Sequence, residues 1–306
     1  MHIPDGFLAT PVWAALDLAA APSVAYMARR AQREFDESKV PLLGVLGAFV
    51  FAAQMINFPV GPGTTGHLLG GALLSFTLGP AAATVVMTAI LSIQALVFQD
   101  GGILALGANA INMAVLGVLA GYLPFAIWGG GRFRKLAIFA GAALSVLVSA
   151  LAALSELLVS GVRMPLPILG LSIALFLVSA ALEGAITLAV IEALARIRPG
   201  SARVDRELAR PGWSRALAMV SLATLVLASV GVLFASAAPD GLQRLGEQAG
   251  IISRVRMMIH TPLSNYRVAF LRSDVLSKAS AGLAGVALVY GACLALGRMA
   301  ARNRSL

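Results

Sequence analysis

Leu136-Ala137-Ile138-Phe139-Ala140-Gly141-Ala142-Ala143-Leu144-Ser145-Val146-Leu147-Val148-Ser149-Ala150-Leu151-Ala152-Ala153-Leu154-Ser155 runs for twenty residues without a charge. That is about the length of helix needed to cross a hydrocarbon core. Arg132, Arg134 and Lys135 stand immediately before it. Similar runs recur along the chain and predict helices near 8–28, 40–57, 67–78, 81–98, 103–128, 136–160, 167–195, 214–236 and 274–298. Across 306 residues, 59% are hydrophobic and 12% charged, with a mean hydropathy of +0.87. Soluble domains carry about twice that charge fraction. The expected fold class is therefore an all-α polytopic integral membrane protein of about nine helices. The third predicted helix is too short to span alone, and Gly79-Pro80 breaks it from the fourth.

Net charge is +9, yet the basic residues lie in short clusters between apolar runs, which points to a lipid bilayer and not to nucleic acid. With the N-terminus outside, the cytoplasmic segments are 29–39, 129–135, 196–213 and 299–306. In or bordering them lie 16 of the 23 Lys and Arg residues. This orientation places all three histidines, His2, His67 and His260, on the outer side. No basic n-region of a cleavable signal precedes the first apolar run. The single cysteine, Cys293, lies in an apolar stretch and excludes a disulfide framework.

Breakers in Pro199-Gly200-Ser201 and Pro211-Gly212 divide the chain into a seven-helix part (1–198), a cytoplasmic linker (199–213) and a two-helix hairpin (214–306) with a long outer loop, 237–273.

The chain opens Met1-His2-Ile3-Pro4-Asp5-Gly6. A histidine at position two can close two adjacent chelate rings on one metal ion, through the Met1 amine, the His2 amide nitrogen and His2 Nδ1. Peptide planarity makes the array nearly flat, which suits Ni(II) or Cu(II) better than tetrahedral Zn(II). A bulky second residue should also protect Met1 from removal. His67 is a candidate fourth nitrogen, the alternative being an interfacial histidine that caps a helix start. Glycines and prolines in Asn57-Phe58-Pro59-Val60-Gly61-Pro62-Gly63-Thr64-Thr65-Gly66 allow the irregular turn that brings the N-terminus to it.

Three motifs in order now carry a resemblance: Met1-His2-Ile3-Pro4-Asp5-Gly6-Phe7-Leu8, Gly66-His67-Leu68-Leu69-Gly70-Gly71-Ala72, and Gln99-Asp100-Gly101-Gly102 through Asn109 to Asn112-Met113-Ala114. From residue 1 to about 195 the chain resembles the substrate-binding subunit of nickel/cobalt energy-coupling-factor transporters of the NikM/CbiM type. Its opening resembles the nickel members more than the cobalt ones. Residues 214–298 look like the small NikN-type subunit, although Asp240-Gly241-Leu242 is followed by Gln243 where that family has Glu. The resemblance implies capture of Ni(II), or Co(II), from outside as transported substrate, with Met1, His2 and His67 as ligands. It further implies a NikQ/CbiQ-type coupling subunit, NikO/CbiO-type ATPases and the cytoplasmic membrane of a prokaryote. The chain has no Gly-x-x-x-x-Gly-Lys-Ser/Thr loop for ATP, so ATP hydrolysis is expected in the partners and not in this chain.

Polar residues at membrane depth are costly and carry functional or packing roles. Gln54, Asn57, Thr64, Gln94, Asp100, Asn109 and Asn112 are candidates to orient the ligands, with bundle hydrogen bonding or helix capping as the alternative. Glu156 and Glu183 either offset the ion's charge or pair structurally. His260, beside Met257 and Met258, either collects metal or is a solvated loop residue. Gly44, Ala48 and Ala52 allow close approach of a helix, internal or from a partner. Asp17 has no account at this level. The rival readings are a cobalt uptake component, an autonomous secondary metal transporter and a membrane enzyme. The last lacks Gly-x-Ser-x-Gly, His-Glu-x-x-His and paired intramembrane aspartates.

Overall fold

A computed structural model describes residues 1–34, 39–197, 214–236, 238–256 and 258–302. The expected linker 199–213 lies outside these residues, as do Met257 and the end of the C-terminal tail. The chain folds as helices α1 (Thr10–Glu34), α2 (Val40–Gln54), α3 (Gly71–Leu78), α4 (Pro80–Ile93), α5 (Leu106–Asn109), α6 (Gly117–Trp128), α7 (Arg134–Val159), α8 (Leu166–Ile197), α9 (Ser214–Ser229), α10 (Gly241–Gln248) and α11 (Asp274–Arg302). Among the described residues six helical stretches are long and apolar enough to cross a membrane: Pro80–Phe98, Leu106–Trp128, Arg134–Val159, Leu166–Arg196, Ala216–Leu233 and Asp274–Ala301.

Apolar faces decide the packing. All eight residues of α3 are buried, as are most of α2 and α4. These three form the centre, with α6 and α7 against α3, α1 against α4, and α9 and α11 against α2. Glycines set the last contact: a Cβ on Gly44 would lie 2.9 Å from the Tyr290 ring, and one on Gly285 only 2.3 Å from Phe51. The small-residue face of α2 is thus filled from within the chain.

Several boundaries differ from the sequence-based expectations, each for a local reason. Helix 40–57 ends at Gln54, because Phe58–Gly61 (β1) and Thr64–Gly66 (β2) pair as an antiparallel hairpin. Helix 67–78 begins only at Gly71, since Gly70 is left-handed (φ 76°) and stops the turn. At about 1.5 Å per residue, eight residues cover well under half of a bilayer core. Helices 81–98 and 103–128 contain π-helical stretches at Gln94–Phe98 and Ala110–Leu116. The helix expected from 103 begins at Leu106, and the Asp5 carboxylate takes the amides of Ile103, Leu104 and Ala105 just before it. The loop 237–273 is not irregular throughout. It contains α10, whose N-cap Asp240 accepts from the amides of Leu242 and Gln243, while the Gln243 side chain accepts from the Asp240 amide. Gln at that position completes a capping box as well as Glu does.

Candidate metal-capture site

The turns after α2, before α3, after α4 and after α9 meet at one end of the bundle, where the N-terminal segment is folded inward. Ile3 is fully buried. Its amide donates to Asn109 Oδ1 (2.8 Å), and its carbonyl accepts from Asn109 Nδ2 (3.1 Å) and the Gly102 amide (2.8 Å). Asp5 Oδ1 and Oδ2 take the amides of 103–105 at 2.8–3.2 Å. A Cβ on Gly102 would stand 2.3 Å from Asp5 Oδ1, so only glycine fits there. On the other side the Arg256 amide donates to the Asp5 carbonyl (3.1 Å). Phe7 packs with Leu242, Leu245 and Ile251. Residues 1–8 are therefore clamped between the 99–109 turn and the α10 loop.

This clamp brings nitrogens together. The Met1 amine lies 2.7 Å from His67 Nε2. Two cis ligands in a square plane stand about 2.8 Å apart for metal–nitrogen bonds of about 2.0 Å, so the pair already has the spacing of one edge of such a plane. The His2 and His67 rings stack, with centroids 5.2 Å apart and planes 17° from parallel. His67 Nδ1 hydrogen-bonds the Leu68 carbonyl (2.9 Å), which fixes the tautomer that leaves Nε2 free to accept. His2 is oriented differently from the expectation. Its Nδ1 faces Asp100 Oδ1 (2.9 Å), while Nε2 is buried without a hydrogen-bond partner. For Nδ1 to close the chelate, the ring has to turn away from Asp100 about its Cβ–Cγ bond.

Electrostatics favour a neutral His67. Burial pushes its pKa down to about 3, helped by the adjacent amine and His2. Burial raises the Asp100 pKa, but His2 and the Tyr266 hydroxyl (2.6 Å) outweigh it and hold the carboxyl below the usual range. Asp240 is likewise held low, the Met1 amine at 2.8 Å overcoming burial. Tyr266 is pushed well above its ordinary value by burial and by Asp100.

A cavity of about 540 Å³ opens beside the cluster, lined among others by His2, Asn57, His67, Asp100, Asp240 and Tyr266. Asn109 holds Ile3, and Gln54 and Gln94 form a chain in which Gln94 Nε2 donates to Gln54 Oε1 (2.8 Å) and Gln54 Nε2 to the Leu69 carbonyl (2.7 Å). The remaining candidates point elsewhere. The Thr64 hydroxyl turns back to the Pro62 carbonyl (3.4 Å). Asn112 Nδ2 donates to Glu156 (2.8 Å), inside the bundle. His260 is exposed and does not line the cavity. Glu183, read either as a charge partner or as a structural group, accepts from the amides of Leu69 (2.7 Å) and Gly70 (2.8 Å), just after His67. Asp17 accepts from the Gly107 amide (2.7 Å) and ties α1 to α5.

Sequence reasoning missed the roles of Asp5, Asp240 and Tyr266. The Asp-Gly pairs at 5–6 and 240–241 were the available signal, since Asp before Gly is a turn or cap former. Among the described residues no group of three or more His, Cys, Asp and Glu side chains is arranged to hold a metal ion. Two imidazoles and a terminal amine converge instead.

Residues 2–201 match the family described as the cobalt uptake substrate-specific transmembrane region, CbiM. The chain belongs to this family. The similarity extends beyond the CbiM region. The chain is 33% identical to the "Probable fused nickel transport protein LarMN" of Lactiplantibacillus plantarum, over 95% of this chain and 97% of that protein. To the fused nickel transport protein NikMN of Rhodobacter capsulatus it is 29% identical, over the full length of both. A crystal structure of a truncated transition metal transporter, 33% identical, superposes with a TM-score of 0.57 over 64% of this chain and 99% of its own. The CbiM-family chain is thus a non-catalytic metal transport component with the expected multi-pass all-α fold.

Proposed function

We propose that this chain captures Ni(II) at the outer face of a prokaryotic cytoplasmic membrane and works as the substrate-binding component of an ATP-driven importer. The carrying observation is the 2.7 Å approach of the Met1 amine to His67 Nε2, with the His2 ring stacked alongside. In this reading the four ligands are the Met1 amine, the His2 amide nitrogen, His2 Nδ1 and His67 Nε2, in a near square plane that favours Ni(II) over Zn(II). Co(II) is the second candidate, supported by the family's description as a cobalt uptake region. Residues 1–198 form the metal-binding module and 214–306 a NikN-like hairpin. The 16 Lys and Arg residues near the opposite loops and tail support an outside N-terminus. With no phosphate-binding loop of its own, the chain relies on NikQ/CbiQ-type and NikO/CbiO-type partners, whose movement changes the site's exposure. Protonation or displacement of the N-terminal ligands releases the ion.

Calorimetric titration with Ni(II) and Co(II) tests the reading on purified protein and on a form with two extra residues before Met1. The extension moves the amine out of register and should abolish binding while the fold survives. Equal binding by both forms would exclude the amine as a ligand.

A further inference from the structure

We propose that Asp240, carried by the C-terminal hairpin, is a positioning residue of the metal site: it holds the terminal amine in register and balances the charge of the bound ion. The inference rests on the metal-capture reading above and adds a group that lies outside the expected ligand set.

Asp240 is built into place from both sides. One carboxylate oxygen, Oδ1, is engaged by the Leu242 and Gln243 amides (2.9 and 2.8 Å) as the cap of α10. The other, Oδ2, accepts from the Met1 amine at 2.8 Å, the same nitrogen that lies against His67. The backbone just before Asp240 is fastened to the His67 hairpin: the Thr65 amide donates to the Pro239 carbonyl (2.9 Å), and the Thr65 hydroxyl to the Ala238 carbonyl (2.9 Å). Thr65 is two residues from His67, so the hairpin that carries one ligand and the carboxylate that holds another are one hydrogen-bonded unit. Farther along, Gly246 admits the Phe7 ring, which a Cβ would meet at 2.3 Å. The α10 loop thus grips the N-terminal segment at two points.

Charge explains why a carboxylate stands there. A divalent ion bound by a neutral amine, two neutral imidazoles and one deprotonated amide carries a net +1. A buried net charge without a partner is costly. Once metal replaces a proton on the amine, two N–H donors remain, and one of them still points at Asp240 Oδ2. The carboxylate then both orients the amine and offsets the ion's net charge on the amine side, as the Asp100 carboxylate does on the His2 side. Outer partners of this kind typically change metal affinity by about 10- to 100-fold.

The experiment is Ni(II) calorimetry and absorption spectroscopy on the full chain, comparing wild type, Asp240→Asn and His67→Ala. Asn caps helices about as well as Asp, so Asp240→Asn keeps α10 and removes the charge facing the amine. Asp240→Glu asks whether the carboxylate alone restores binding. The expected result is a loss of about 10- to 100-fold in affinity for Asp240→Asn, with an unchanged ligand-field band, a lower thermal midpoint of the metal-free protein because the buried ion pair with the Met1 amine is lost, and partial rescue by Asp240→Glu. An affinity within twofold of wild type would overturn the inference, and a shifted band would overturn it too, by making Asp240 a ligand. If His67→Ala binds like wild type, the metal-capture reading fails first, and this inference with it.

Discussion

At residue scale the site depends on groups kept in one protonation state and one orientation. His67 has an ordinary imidazole value of 6.5 when unfolded and about 3 when folded. Between those values the unfolded chain binds the extra proton, so folding stability rises with pH. It is fully present above about 6.5 and is lost as pH falls toward about 3. Thermal unfolding of metal-free protein should show a lower midpoint at about pH 4.5 than at about pH 7, and His67→Gln should flatten that dependence. Metal binding has its own proton demand, since the amine and the His2 amide must both lose a proton. Calorimetry in buffers of different ionisation enthalpy should report release of about two protons per ion near neutral pH. Asp100 bridges His2 Nδ1 and the Tyr266 hydroxyl. Asp100→Ala leaves Tyr266 without its acceptor and removes a carboxylate charge from beside the bound ion, and should weaken Ni(II) binding about 10- to 100-fold in the same titration.

At the scale of elements, short irregular segments do the positioning, and they are held by groups on distant helices. His67 sits between β2 and α3, and the amides of Leu69 and Gly70 that follow bond to Glu183 of α8. Gly70 is left-handed, and a Cβ there would lie 2.4 Å from Val50 Cγ1. Gly70→Ala therefore combines a left-handed penalty of about 1–2 kcal/mol with overpacking of about 1–3 kcal/mol. It should lower the thermal midpoint and weaken Ni(II) binding together, because relief of the clash shifts His67. Elements of this kind were only partly legible. Gly-Pro content at 57–66 announced an irregular turn but not a β hairpin, whose pairing is fixed by docking on the 238–240 backbone. Nor was α10 anticipated, because its eight residues are too few for an apolar run to register.

For the whole molecule, the hairpin of α9 and α11 is seated on α2 through glycine contacts. Leu at Gly285 would drive its side chain into Phe51 and Phe98, which a Cβ already meets at 2.3 and 2.8 Å. Gly285→Leu is expected to loosen α11 and, through the 238–256 segment, to reduce Ni(II) affinity, although residue 285 is not in the metal site. Comparing its affinity with that of the His67→Ala variant separates this indirect loss from removal of a ligand. Composition and charge patterning alone determined the membrane class and located the six long apolar helices, because the cost of placing charge in hydrocarbon is written into every residue of a spanning helix. The motif at the first two residues and His67 suggested a nitrogen-rich metal site, since a chelate formed by consecutive residues is a local property. Only the tertiary structure brought Asp100, Asp240, Tyr266 and Glu183 to that site. Their contacts join residues 98 to 239 positions apart, and no local pattern in a chain encodes which distant carboxylate a folded terminus will meet.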